Sequence, residues 1–178
     1  MPSSPTSPIP ETTSADHRAG RIAVPQPPAI TLVLADGWEA LATVPVDVAI
    51  VGPRTDGFRA NLTVTRQRFA APRTAAEVFA EAHAALDDDA TVTVDHEKLG
   101  TLDGHEALDR RFVQQREHPL RGRVVVVVLP AEVPADVGYY VVLTALADAD
   151  AAAIVDADID AMIASVRFGL ADRAIGGR

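Results

Sequence analysis

Arg121 to Leu129 contains five consecutive valines, Val124 to Val128. β-branched side chains are stiff about χ1 and pack well on a pleated surface. An unbroken apolar run has no polar face to turn toward water, so it suits a central strand buried on both sides. Tyr139 to Ala147 is a second β-rich run of this kind. The fold therefore needs a sheet whose middle is covered above and below.

The rest of the chain supplies shorter signals. Ile30 to Leu34 is a β-branched run closed by Asp36-Gly37, a turn that positions Trp38, and Val44 to Val51 is stopped by Gly52-Pro53. Phe58, Ala60, Leu62 and Val64 alternate with Arg59, Asn61, Thr63 and Thr65, the period of two of a half-buried strand. Thr74 and Glu77 form a capping-box pattern. Val78, Phe79, Ala82, Ala85 and Leu86 then follow at helical spacing, and the acidic run Asp87 to Asp89 predicts that this helix stops at or before Leu86. Thr91 to Leu99 and His105 to Gln115 read as strands joined by the Asp103-Gly104 turn. Asp148 or Asp150 is placed to cap a last helix with the buried stripe Val155, Ile159, Met162, Ile163 and Val166. The order βββαββββα predicts an α+β domain, an antiparallel sheet flanked by helices, over residues 28–170. Residues 1–27, rich in Pro, Ser and Thr, read as a disordered leader, and 171–178 as a flexible tail.

The formal charge of −9 argues against a general phosphate-binding surface, and hence against nucleic acid. Without cysteine there is no disulfide, thiolate nucleophile or lipidated cysteine. No signal-peptide pattern and no apolar run of about 18 residues is seen, so the expected place is the cytoplasm, without membrane insertion.

Asp156-Ala157-Asp158-Ile159-Asp160 imitates the opening of a calcium loop, but Ala161 and Arg167 stand where Gly and Glu are needed. It reads as a solvated acidic helix face. His17, His83, His96, His105 and His118 show no zinc-ligand spacing and read as surface histidines. Ser165 lacks a nucleophile elbow, and no phosphate-binding glycine loop occurs, so no catalytic residue, cofactor or metal is expected. Two surfaces stay open. His96-Glu97 and His105-Glu106 could meet across a hairpin as acid/base pairs of an enzyme or small-ligand site. Arginines around the third strand and the later hairpin, above all Arg59, Arg66, Arg111 and Arg121, could bind an acidic partner or pair within the sheet.

Four segments carry a family resemblance: Ile30 to Trp38 ending in Asp-Gly-Trp, Gly57 to Val64, Leu102 to Ala107, and Ser165 to Phe168. Together they resemble the PsbP-like superfamily, which includes DcrB- and LpqN-type bacterial proteins and type VI effector-associated chaperones. The resemblance implies an α/β/α sandwich acting as a non-catalytic, chaperone-like or accessory module, with another protein as partner.

Overall fold

The computed structural model describes residues 27–42, 46–54, 57–70, 73–129 and 137–169. The leader before residue 27 and the tail from residue 171 lie outside them, as do Val44 and Pro45 of the second expected strand. The elements are β1 (Ala29–Thr31), β2 (Glu39–Leu41), β3 (Val48–Val51), β4 (Asn61–Ala70), α1 (Ala75–Asp87), β5 (Val92–Leu102), β6 (His105–Gln114), β7 (Leu120–Leu129), β8 (Val137–Asp148), α2 (Ala152–Ala164) and β9 (Arg167–Gly169). All strand pairs are antiparallel. Seven strands form one sheet in the order β2-β3-β4-β8-β7-β6-β5, while β1 and β9 form a separate ribbon. Two strands of three residues, β2 and β9, thus add to the expected order.

The two valine-rich and tyrosine-rich runs lie side by side as β7 and β8 near the middle of the sheet. Side chains along a strand alternate between faces, so this run serves two cores. Val125, Val127 and Leu129 join Val141, Leu143, the α2 stripe Val155, Ile159, Met162 and Ile163, and Val166 just beyond the helix. Val124 and Val126 join Val78 and Phe79 of α1, with Leu108, Phe112 and Tyr140. The result is the α/β/α sandwich, with one helix on each face. No described helix is long and apolar enough to cross a membrane.

The capping box at Thr74 forms as the sequence predicts: Glu77 N donates to Thr74 Oγ1, and Thr74 N donates to Glu77 Oε2 at 2.7 Å. Yet α1 includes Asp87 and stops at Asp88, because Arg110 places its Nη1 2.7 Å from Asp87 Oδ1 and neutralises it. The N-cap of α2 is Ala151, not an aspartate: Asp148 Oδ1 accepts instead from Asp150 N in the preceding turn. His83 corrects another expectation. It is no surface histidine but lies buried in α1, while Ala85 is exposed. Buried or partly buried positions 75, 78, 79, 82, 83 and 86 follow the helical period, which selects His83 over Ala85. Neither imidazole nitrogen has a hydrogen-bond partner among the described residues. A buried polar group left so costs about 1–3 kcal/mol.

Two glycines let aromatic rings lie flat on the α1 face. Phe112 stands opposite Gly122, and Phe69 opposite Gly138. A Cβ on Gly122 would come within 2.5 Å of the Phe112 ring edge carbons, and one on Gly138 would meet Phe69 almost as closely. Phe112 is buried and cannot swing away freely. Gly122→Ala should therefore lower stability by about 1–3 kcal/mol, as overpacking does. Adding Phe112→Leu should recover part of the loss in a denaturation cycle; an additive result would show that the ring does not occupy the glycine gap.

Candidate functional site

All four arginines considered for partner binding have partners inside the chain. Arg59 donates through Nε to Gly52 O at 2.6 Å, with Nη2 3.4 Å from Glu39. Arg66 donates through Nη1 to Pro28 O at 2.8 Å and pairs with Asp47, whose carboxyl these hydrogen bonds hold below its ordinary pKa. Arg111 Nη2 lies 3.0 Å and 3.2 Å from the two Asp160 oxygens. Arg121 stands 3.6 Å from Asp156. Cross-strand pairing also occurs, through Arg123, which grips Asp109 with Nε at 2.9 Å and Nη2 at 2.7 Å and also pairs with Asp160.

Two of the calcium-like aspartates keep much of their side chains in solvent, as an acidic helix face should, but they are paired with arginines. Asp156 and Asp160 stand one helical turn apart on α2, so both look down on Arg111, Arg121 and Arg123 of β6 and β7. Asp158 accepts from Trp38 Nε1 at 3.0 Å, tying the buried indole after the Asp36-Gly37 turn to the helix. Among the described residues no group of His, Asp and Glu is arranged to hold a metal. Between α2 and these arginines lies a gap of about 20 Å³, space for little more than one water.

The histidine hairpin does not assemble. His96 stands opposite Arg111 and His105 opposite Leu102, so six residues of β5 separate them, about 20 Å at the rise of an extended strand. His96 and Glu97 are neighbours on one strand and point to opposite faces, as do His105 and Glu106. Glu97 is held by Arg110 Nε at 2.6 Å, and His105 packs edge-on against Phe168, ring centroids 5.6 Å apart. An open cleft of about 460 Å³ lies elsewhere, lined by Gly57, Phe58, Arg116, Glu117, His118, Leu120 and Asp148. Ser165 is structural: its Oγ donates to Met162 O at 2.7 Å and accepts from Val33 N at 2.8 Å, anchoring the segment after β1.

What the chain leaves uncovered is β5. Thr93 to Thr101 is exposed throughout, and among the described residues its outer edge has no strand neighbour. Leu99 is 70% exposed there, next to Lys98. A register shift between Val94 and His96 marks a bulge at Asp95. Sequence alternation alone gave no sign of this exposure, because a strand's place in the sheet depends on partners far away in the chain.

The ion pairs over α2 differ in weight. Asp160 serves two arginines, whereas Asp156 serves one at longer range. With both carboxylates well exposed, Asp160→Ala should cost about 1 kcal/mol and Asp156→Ala less than about 0.5 kcal/mol. Urea denaturation in low and high salt checks this, and equal losses at the two positions would contradict it.

No family model and no curated protein matches the chain. Among solved structures it is similar to LpqN of Mycobacterium tuberculosis, a protein involved in cell envelope biogenesis. That match has 16% identity and a TM-score of 0.71, and covers 82% of this chain and 86% of the other. A Pseudomonas aeruginosa protein of unknown function, suggested as a regulator, matches at 15% identity with a TM-score of 0.51 over 79% of this chain and 83% of that one. Cyanobacterial PsbP from Synechocystis sp. PCC 6803 matches at 12% identity with a TM-score of 0.48, covering 83% and 95%. At such identities only the fold is shared, and by that measure the chain has the fold of LpqN, one of the types that its short motifs resemble.

Proposed function

We propose that this chain is a non-catalytic accessory module that binds another protein through the outer edge of β5. The observation that carries this reading is the uninterrupted exposure of Thr93 to Thr101 along an edge strand. Such an edge offers unpaired backbone N–H and C=O groups to an extended segment of a partner. Main-chain hydrogen bonds would supply affinity, and the side chains on either face would supply selectivity. The exposed Leu99 adds an apolar contact, while Lys98 and the bulge at Asp95 discourage indiscriminate strand pairing.

Two further observations favour this surface over the alternatives. Arg59, Arg66, Arg111 and Arg121 are engaged within the chain, so a partner would have to displace Glu39, Asp47, Asp160 or Asp156 to reach them. The separation of His96 from His105 removes the geometry that an acid/base or ligand site on that hairpin requires. The likeness to LpqN, involved in cell envelope biogenesis, and to a suggested regulator supports an accessory role, with chaperone-like binding as its specific form.

Because the chain has no cysteine, a single introduced thiol reports one place on the surface. Leu99→Cys carrying a cleavable crosslinker should give a discrete adduct in lysate of the source organism. Excess unlabelled chain should suppress it, and Ile154→Cys, at a residue 79% exposed on α2, should not produce it. Identical adduct patterns from the two positions would contradict the assignment to β5.

A further inference from the structure

His83 is the one buried histidine among the described residues, and it lies between α1 and the sheet with both ring nitrogens unpaired. Its charged surroundings come from three elements. Arg110 of β6 is nearest in effect, with Asp87 of α1 and Glu97 of β5 beside it. Arg110 already binds both carboxylates, through Nη1 to Asp87 and Nε to Glu97. That leaves the negative charge around the imidazole largely neutralised. Across the same layer β7 contributes Val124 and Val126, and β8 contributes Tyr140, whose hydroxyl is engaged by Gln67 at 2.6 Å. A proton on His83 would thus sit in a dry layer, beside a guanidinium whose carboxylates are already taken.

We propose that His83 is a pH-sensitive latch: uptake of a proton by its imidazole loosens α1 from the sheet while α2 stays docked on the opposite face. Loosening α1 would uncover Leu108, Phe112, Val124, Val126 and Tyr140, an apolar surface otherwise closed. Among the described residues nothing comparable lies on the other face, where those that α2 buries are apolar and the arginines meet aspartates at its rim.

The sign of the effect follows from linkage. Burial, the larger cause, and Arg110 lower the His83 pKa in the folded chain. The unfolded or opened form therefore takes up the proton first as pH falls. Closure is fully favoured above the ordinary imidazole pKa of about 6.5 and weakens as pH drops below it.

Amide hydrogen exchange of the whole chain at pH 7.5 and 5.5, corrected for intrinsic rates, tests the latch. The expected result is a loss of protection in α1 of up to about tenfold, with α2 unchanged, since one opened proton-binding site shifts the equilibrium by at most roughly that factor per pH unit below 6.5. His83→Leu should hold α1 protection constant between the two pH values. Parallel loss in α1 and α2, or pH-dependent loss persisting in His83→Leu, would overturn the proposal. Should that variant fail to fold, an NMR titration of the wild-type imidazole decides. A ring that titrates at the ordinary value while α1 stays protected overturns the latch; one that stays neutral until α1 opens supports it.

Discussion

Val124 to Val128 point alternately to the two faces of β7, and both faces are dry. A strand in that position cannot be stable beside a single layer, because every second valine would then face water at a cost of about 1.5–3 kcal/mol for each side chain that stays exposed. The antiparallel neighbour β8 meets the same condition, with Val141 and Leu143 on one side and Tyr140 on the other. The remaining parts are arranged to satisfy this pair of strands. α1 covers one face, α2 the other, and the less apolar strands fall toward the edges, with exposed β5 last.

The two helices are fastened by unequal means. The apolar stripe Val155, Ile159, Met162 and Ile163 of α2, continued by Val166 just past its end, is buried. At about 1.5–3 kcal/mol for each buried side chain, it outweighs ion pairs that contribute at most about 1 kcal/mol apiece where solvent reaches them. The pairs of Asp156 and Asp160 with Arg111, Arg121 and Arg123 therefore act chiefly as a fixed rotational setting for a helix already held by its stripe. On α1 the stripe is shorter, and His83 occupies a position where an aliphatic residue would strengthen it. That asymmetry makes α1 the more easily released of the two, and it leaves the β5 edge and the α1 face as surfaces where another molecule could gain a hold.

Much of this was legible in the chain because the signals were local and periodic. The capping box at Thr74, the Asp103-Gly104 turn with both residues at positive φ (49° and 81°), and the α2 stripe all follow from neighbours a few residues apart. The three-residue strands β2 and β9 escaped because each is too short to show a period and is defined by its partner, β3 or β1. Charged residues were the least legible. Arg111 and Asp160 lie 49 positions apart, and only the crossing of α2 over β6 and β7 turns two exposed-looking patterns into one contact. The hairpin histidines failed for the opposite reason: a turn brings strands together, but it does not bring together residues at different distances from the turn.

The claim on which the rest stands is that one β-branched run feeds two cores at once, and methyl-resolved NMR tests it directly. Selective labelling of valine, with aromatic and methionine side chains visible, should give contacts from Val124 and Val126 to residues of α1, including Phe79. Val125 and Val127 should give contacts to residues of α2, including Met162. The account predicts that these two sets do not overlap. Valines 124 to 127 all reporting on a single helix, or neighbouring valines sharing the same helix partner, would contradict it.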